Sequence, residues 1–484
     1  MQINLQNIGI VKDSSITIDG LTVITGKNNS GKTTVGKTLY ALLDAVSDIQ
    51  QKATSDKLAY IQYQLDKVES TLEVFRFLRV PILEDRVDIF DQYPALKLLL
   101  SREYRHEIPS RELEIFARNL ADELSSFDSS MFESGNELSQ YQRFIHVKSS
   151  TKESVSFANL FAKQREQAVI RLNKLFADLE KDPELISYAR ESINQTLKCE
   201  FANQIQPVSV PNVLSRIELS DSQSVYFSLS ISNNSVVDDG APVYISSPFK
   251  KVYLIDDPFV LDDIYSRRII RSFDFDDGDT IFNPNRIYSH NYKLKSTLRS
   301  RRSLSVFEQT VLSDSLVEIN NQFDNIIPGT FEFTSDGDYY VRNGSKLKLS
   351  NLATGSKMFT IMRMLLDKGE IDNTTMLILD EPEAHLHPMW QNAFAEIIVL
   401  LVKKLGVNIL LTTHSPNFML ALDAYMRKYD IADITNFYQT DVLENHFVHY
   451  NCVNDDMGKI YQDFLQYLSE VKMLRNAYMN SIGE

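Results

Sequence analysis

Cysteine is nearly absent from this sequence: Cys199 and Cys452 are the only two in 484 residues, and their spacing forms no motif. That argues against a disulfide-stapled framework and against a cysteine-built metal or redox site, and both thiols are expected to be buried. A positive excess is missing too. Against 65 Asp and Glu stand 50 Lys and Arg, a formal net charge of −15, so no global positive field is available to coat nucleic acid. Contact with nucleic acid would need a local basic patch or a partner. No window approaches the ~18 consecutive apolar residues that span a bilayer, and Met1-Gln2-Ile3-Asn4 does not open a basic region followed by a long apolar stretch. The expectation is a soluble, cytoplasmic protein without a membrane role. Internal repeats and low-complexity tracts are also lacking. What is present is 43% apolar residues, ample for a core, over a length that suits two or three domains.

The octapeptide Gly26-Lys27-Asn28-Asn29-Ser30-Gly31-Lys32-Thr33 fits GxxxxGK[ST] and follows directly on the apolar run Leu21 to Thr25. Glycines at both ends let the backbone curl so that successive N–H groups converge on a phosphate, and the helix-like stretch Lys32 to Ser47 adds its positive N-terminal dipole. Gly26, Asn28, Asn29, Ser30, Gly31, Lys32, Thr33 and Thr34 are therefore the expected seat of a nucleoside triphosphate, ATP. Lys32 would reach the β- and γ-phosphates, and Thr33 would offer its hydroxyl to Mg²⁺. Ile3 to Ile8 and Ser15 to Ile18 alternate like short strands, so the sheet starts at the N-terminus.

Met376 to Asp380 is an apolar run ending in the adjacent acids Asp380 and Glu381, the pattern of a buried parallel strand that delivers carboxylates to the sheet edge. Asp380 is expected in the Mg²⁺ shell. Glu381 suits a general base acting on the attacking water. Val407 to Thr413 is a further strand, ending at His414, whose imidazole could hydrogen-bond a γ-phosphate or that water. Lys251 to Pro258 also ends an apolar strand with two acids and a proline, but no strand with a terminal histidine follows it; it is read as a structural strand. His385 and His387 lack other ligands around them, which argues against a metal site there.

Between Lys32 and Asp380 lie more than 340 residues, so something is inserted. The divisions expected are residues 1–47 as the first part of a nucleotide head, 48–203 as a helical insertion, 204–350 as an antiparallel β lobe, 351–450 as the acidic-strand half of the head, and 451–484 as a helical tail. Leu72 to Leu78 and Gln164 to Leu179 carry helical periodicity, and Pro81, Pro94, Pro109 and Pro183 limit helix length, which favours a compact insertion over a long coiled coil. Period two returns at Ser224 to Ile231 before Asn233-Asn234, and again at Thr330 to Phe333 and Tyr339 to Val341 before Asn343-Gly344. Lys293, Lys295, Arg299, Arg301 and Arg302 form the densest basic stretch, read first as a solvated helix face and second as a contact for nucleic acid or an acidic partner. The tail contains the helix-like Ile460 to Tyr478.

In this order of phosphate loop, Asn351-Leu352-Ala353-Thr354-Gly355-Ser356-Lys357, acidic strand and terminal histidine, the chain resembles an ABC-type ATPase head over roughly residues 1 to 45 and 205 to 430. The resemblance implies an α/β fold: a mixed sheet with the phosphate-binding loop, an antiparallel β lobe and, here, a helical insertion. It implies that Gly355, Ser356 and Lys357 act as the signature segment, binding the γ-phosphate of nucleotide held by an opposite subunit, so that head-to-tail dimers form a homo-oligomer. Ala353 replaces a serine common in the family, which removes a hydroxyl contact. The segment Glu383 to Pro388 resembles the family's inter-subunit loop. The glutamine expected after the Lys251 strand has no assigned position.

Leu379 to Pro388 and Thr412 to Pro416 resemble the stand-alone ATPases of bacterial anti-phage systems: the PtuA-type ATPases of Septu and retron-associated systems and the related AriA-type ATPases of PARIS. That resemblance implies a scaffold that regulates a separate nuclease effector, with an HNH, PtuB-like nuclease favoured and nucleic acid reached through the complex. About seventy residues follow His414, too few for the nuclease domain of the overcoming-lysogenisation-defect family. Two alternatives stay open: a RecF-like or short SMC-like repair ATPase that clamps DNA directly, and a structural ATP-binding scaffold with negligible turnover.

Overall fold

Short apolar runs without alternation become strands buried on both faces, and four of them build the functional half of this molecule. The computed structural model describes residues 1–72, 92–101, 108–127, 157–181, 184–210, 213–240, 243, 247–262, 289–300, 304, 306–334, 337–443, 446–458 and 469–478. The chain divides into two units, Met1–Ile49 with Ile186–Glu484, and Gln50–Leu185. In chain order the strands are β1 (Gln2–Ile8), β2 (Val11–Thr17), β3 (Leu21–Thr25), β4 (Ser215–Ser220), β5 (Val225–Ser232), β6 (Ser235–Val237), β7 (Lys251–Ile255), β8 (Thr330–Thr334), β9 (Gly337–Arg342), β10 (Ser345–Lys348), β11 (Thr375–Asp380), β12 (Asn408–Thr413), β13 (Thr435–Val442) and β14 (Val448–Cys452). The helices are α1 (Lys32–Val46), α2 (Ile49–Thr71), α3 (Pro94–Leu99), α4 (Leu113–Ser126), α5 (Phe157–Leu179), α6 (Leu185–Glu200), α7 (His290–Arg299), α8 (Val306–Ile326), α9 (Thr354–Asp367), α10 (Pro388–Leu405) and α11 (Pro416–Lys428).

Eleven strands form one sheet in the order β6-β5-β4-β1-β2-β14-β13-β3-β12-β11-β7. From β13 to β7 all neighbours run parallel, so β3, β12, β11 and β7 deliver their following loops to one edge. In the other half β1 pairs with β2 and β4, and β4 with β5, antiparallel, while β14 meets β2 in parallel at Val448 and Val11. This is the expected α/β head with a mixed sheet. α1 covers the parallel half closely: a Cβ on Gly36 would stand 2.9 Å from Ile378 Cγ2, so only glycine lets the helix sit this near β11. On the other face α9, α10 and α11 pack through Phe359, Phe394 and Phe418, with ring centroids 5.0 and 6.2 Å apart in turn.

Several sequence expectations change here. The two period-two stretches do not share a lobe: β4, β5 and β6 extend the main sheet from the edge of β1, while β8, β9 and β10 form a three-stranded sheet of their own. α6, read as part of the insertion, belongs with the sheet-bearing unit, because Ala189, Ile193 and Leu197 at i, i+4, i+8 join a core with β1 and α1. Residues 451–452 continue β14, so the tail starts in a strand; 469–478 are helical, and Ile460 to Leu468 lie outside the described residues. Neither cysteine is fully buried. Cys452 is exposed at the end of β14, where alternation points Val448 and Tyr450 inward instead, and Cys199 is half-buried in the last turn of α6, where burial, with the charge of Glu200, pushes its thiol up to about 11.

The Gln50–Leu185 unit is helical in its described parts and closes around its own core. Ile61, Leu65, Val68 and Leu72 recur at helical spacing and meet Leu113, Ala117, Leu120 and Leu124 of α4 with Ala168, Leu172 and Leu175 of α5. The 23 residues of α5 span about 35 Å. Glu123 accepts the N–H groups of Ala95 and Leu96 at 3.0 and 2.8 Å, satisfying donors that open α3 behind Pro94. Past Leu72, the expected helical stretch Glu73 to Leu78 lies outside the described residues, as do Pro81 and Pro183.

Candidate functional site

The residues from Gly26 to Gly31 join β3 to α1. A Cβ at Gly26 would stand 1.8 Å from Thr440 Oγ1, so glycine is required by the neighbour across the sheet: the parallel register sets Gln439 beside Thr25, and Thr440 falls beside the start of the loop. Thr440 Oγ1 donates to Ser30 Oγ at 2.7 Å, and Ser30 Oγ donates to Lys27 O at 2.7 Å. Gly31 ends the loop in the left-handed region at φ 73° as the residue that caps α1, and Tyr450 donates its hydroxyl to Gly31 O at 2.6 Å. Lys27, Asn28 and Asn29 are exposed, with Asn29 at φ 61°. The loop is thus pinned at both ends and open at its tip.

Lys32 is turned inward, 5% exposed, donating to the carbonyls of Gly26 and Lys27 at 3.2 and 2.9 Å and standing 3.2 Å from Glu381 Oε1. Thr33 Oγ1 donates to Asp380 Oδ2 at 2.7 Å, and Thr412 Oγ1 donates to Asp380 Oδ1 at 2.5 Å. Both oxygens of Asp380 are therefore oriented, one from the phosphate-loop helix and one from β12. Thr34 follows on the helix, its N–H donating to Gly31 O at 2.9 Å. An alcohol and a carboxylate side by side are hard oxygen donors, and they fit Mg²⁺.

Glu381 adopts φ 46°, a left-handed conformation that is strained for a residue with a side chain. Its N–H donates to Thr412 Oγ1 and Thr412 O at 3.0 and 3.2 Å, which holds the kink and turns the carboxylate away from the strand direction. Glu381 Oε2 then lies 3.2 Å from His414 Nδ1, one residue past the end of β12. Sequence reading gave no role to Thr412, and gave Glu383 none beyond its place in the loop-like segment Glu383 to Pro388. Glu383 is buried, its Oε1 accepts from Thr413 Oγ1 at 2.5 Å and from His414 N at 3.3 Å, and its Oε2 has no hydrogen-bond partner among the described residues. Burial holds that carboxyl above the usual carboxylate range, the bonds from Thr413 and His414 opposing. Glu383 fixes the backbone from which His414 projects. Thr440 and Tyr450 were missed as well; the alternation in Thr435 to Val442, with Phe437, Gln439 and Asp441 separated by Tyr438 and Thr440, was the available signal.

The signature-like segment opens α9. Ala353 caps that helix without a side-chain bond. A Cβ at Gly355 would stand 2.9 Å from His385 O, so glycine here permits close packing on the Glu383 to Pro388 segment. Ser356 N donates to Ala353 O at 2.8 Å. Lys357 departs from its expected role in binding phosphate: it is 3% exposed, its ammonium lies 2.5 Å from Asp262 Oδ1 and over the Phe259 ring, and it is committed within its own chain. His385 packs edge-on to Phe259, and His387 Nδ1 accepts from Met389 N, capping α10. Thr354 and Met358 line a cavity of about 130 Å³ together with Asp256, Asp380, Glu381 and His385. No phosphate-loop residue lines it.

The strand Lys251 to Ile255 is β7, parallel to β11 with Ile255 beside Leu379, so Asp256 follows one strand over from Asp380. Asp257 caps the short 3-10 helix Pro258–Leu261 by accepting from Phe259 N at 2.8 Å. The sequence has no glutamine between Gln223 and Gln309, so the loop after β7 cannot carry one. In the basic stretch, Lys293 pairs with Asp44 and lies over Tyr253; Arg301 and Arg302 lie outside the described residues. Among the described residues no helix is long and apolar enough to cross a membrane.

Solved structures similar to this chain include the SMC head domain from Thermotoga maritima (10% identity, 93% of this chain and 98% of that one, TM-score 0.32). Another is an SmcHead bound to the C-terminal winged-helix domain of ScpA (10%, 93% and 96%, TM-score 0.37). A third is an Smc head with an extended coiled coil bound to the C-terminal domain of ScpA, from Pyrococcus furiosus (11%, 97% and 98%, TM-score 0.30). No curated protein matches the chain. Residues 21–421 match the family described as "AAA domain, putative AbiEii toxin, Type IV TA system", and the chain belongs to that family of P-loop ATPases.

Proposed function

We propose that this chain is the ATP-hydrolysing subunit of a bacterial defence assembly, a homo-oligomer of head-to-tail dimers that holds and regulates a separate nuclease of the HNH type. The observation that carries the ATPase part is the single constellation of Lys32, Thr33, Asp380, Glu381 and His414, joined by contacts of 2.7 to 3.2 Å. Membership of a family whose description includes an AbiEii toxin of a type IV toxin–antitoxin system supports the defence part. The resemblance of Leu379 to Pro388 to the PtuA-type and AriA-type ATPases supports the choice of partner.

In this reading Lys32 exchanges the Gly26 and Lys27 carbonyls and Glu381 for phosphate oxygens. Thr33 and Asp380 would hold Mg²⁺, which supplies neutralising charge at the β- and γ-phosphates. Glu381, released from Lys32, accepts a hydrogen bond from the attacking water, and His414 donates to the same region. Gly355 and the N-terminus of α9 bring backbone N–H groups toward nucleotide held by another copy. The cavity shared by Thr354 and Glu381 is walled by one chain, but at about 130 Å³ it is too small for a nucleoside triphosphate, whose seat is the open face of the loop.

The test is ATP turnover and binding in paired variants. Lys32→Ala removes charge-assisted contacts worth about 1.5–3 kcal/mol each, so affinity for a fluorescent ATP analogue should fall about a hundredfold. Glu381→Gln should bind normally and turn over roughly 10²-fold slower or worse. Unchanged binding in Lys32→Ala removes the loop assignment; equal, negligible turnover in the parent and Glu381→Gln favours the structural scaffold that the uncapped Ala353 makes thinkable. Tight, salt-sensitive DNA binding by the protein alone would favour the repair clamp.

A further inference from the structure

Behind the site lies a buried ionic group that the proposed chemistry does not use. His290, 7% exposed at the first residue of α7, touches two carboxylates: Nδ1 lies 2.6 Å from Glu200 Oε2 and Nε2 lies 2.9 Å from Asp256 Oδ1. Its backbone N–H donates to the other oxygen of Glu200 at 3.0 Å. Ser289, at the start of α7, makes no side-chain capping bond to it, and Glu200 places an anion at the helix start. The edge of the Tyr40 ring, on α1, closes one side with centroids 5.9 Å apart. Four parts of the fold meet at one imidazole: α6 through Glu200, the turn after β7 through Asp256, α7 through His290 itself and α1 through Tyr40.

The two ends of this group differ in what they are attached to. Glu200 is the last residue of α6, the helix by which the chain returns from the Gln50–Leu185 unit, and α6 is fastened to the phosphate-loop helix by Ser192 Oγ donating to Ala45 O at 3.1 Å. Asp256 lines the cavity that Asp380 and Glu381 also line. The only side chain hydrogen-bonded to its carboxylate among the described residues is His290, so the imidazole orients it. With no glutamine available after β7, Asp256 is the polar side chain next to Asp380 on that side of the sheet edge.

We propose that His290 is a positioning residue that links the return helix α6 to the ATP site by holding Asp256 at the edge of that site, so that a displacement of α6 moves the Asp256 carboxylate and nucleotide binding is felt at Glu200. The inference rests on the ATP-site reading above. A side chain that reached solvent could release Asp256 without consequence, but this one is enclosed, and breaking its contact with Glu200 leaves a buried carboxylate without that partner.

The experiment is hydrogen exchange on the full chain with and without a non-hydrolysable ATP analogue, comparing the parent with His290→Gln and Asp256→Asn. In the parent the analogue should protect the 26–34 loop and also change exchange in the last turn of α6. In both variants the loop should still respond while the α6 response is lost, with melting midpoints monitored so that the comparison is made on folded protein. Where turnover is measurable, kcat should fall about tenfold in either variant with KM within about twofold, and the double variant should be no slower than Asp256→Asn alone, because His290 acts through Asp256. An α6 response that persists in folded His290→Gln, a parent whose loop is protected while α6 stays unchanged, or losses that multiply in the double variant would overturn the link. A parent whose loop does not respond would instead overturn the ATP-site reading, and the link with it.

Discussion

A charge that is buried has to be stabilised by its neighbours, and His290 makes the accounting explicit. Burial opposes the imidazolium, but the hydrogen bonds and charges of Asp256 and Glu200 outweigh it and raise the group from 6.5 to about 9; the Tyr40 edge is neutral, and the Asp256 carboxyl is held below its usual range, against burial, by His290 and by Lys37, whose charge also reaches Cys199. A raised histidine contributes stability that is complete below about 6.5 and is lost as pH rises through about 9. That shift corresponds to roughly 3 kcal/mol. The expected outcome is a guanidinium midpoint that declines between pH 6.5 and 9 in the parent and is flatter in His290→Gln over the same interval. Above pH 9 the raised Cys199 thiol adds a decline of its own, so the comparison ends there. A parent with no slope in that window would mean the imidazole is neutral in the folded protein.

Single residues also mark where sequence reading stops. Gly26, Lys32, Thr33, Asp380, Glu381 and His414 were legible because a phosphate site needs those residue types at strand ends, and the structure brings them together. Lys357 was grouped with Gly355 and Ser356 through the resemblance of their segment to a signature motif, whereas its partner Asp262 is 95 positions away and nothing local announces it. Thr412 and Glu383 carried no signal of their own: a threonine inside a strand and a third acid after a pair become meaningful only when parallel register sets Thr412 beside Asp380 and burial removes Glu383 from water.

At the scale of elements, β3, β11 and β12 were readable because each is an apolar run closed by chemistry. β13 and β14 were not, although β13 lies against the phosphate-loop strand. Thr435-Asn436-Phe437-Tyr438-Gln439 is mixed in polarity, and it is the free edge of β3, together with the apolar neighbours of Phe437 and Tyr438, that makes a strand of it. α1 shows how an element fixes a site. Its spacing from β11 depends on Gly36, and Thr33 on the first turn reaches Asp380 only at that spacing. Gly36→Val inserts two methyls and a Cβ against Ile378, so overpacking should cost about 2 kcal/mol, visible as a lower unfolding midpoint. ATP-analogue affinity should fall with it, since the helix must lift away from the carboxylate. A variant that loses stability yet keeps full affinity would show that the Thr33–Asp380 distance is not set by this packing.

For the whole molecule, net charge makes the dimer proposal specific. Each chain carries −15, so two copies repel at long range, and the repulsion is screened over about 10 Å at 0.1 M salt. Association must then come from short-range contacts, and the exposed tip of the loop at Lys27, Asn28 and Asn29, with the exposed Met389 that opens α10, are surfaces a second copy could cover. ATP adds γ-phosphate contacts that ADP lacks, so the closed state should be nucleotide-specific. Glu381→Gln with ATP should double in mass by light scattering, while the same variant with ADP and Lys32→Ala with ATP should not. Because long-range repulsion is the opposing term, raising salt from about 0.05 to roughly 0.3 M should speed the ATP-dependent step rather than abolish it, the opposite of what salt does to a DNA clamp held by phosphate contacts. Dimers of Lys32→Ala that form without nucleotide, or a Glu381→Gln protein that stays monomeric with saturating ATP, would place the pairing surface elsewhere.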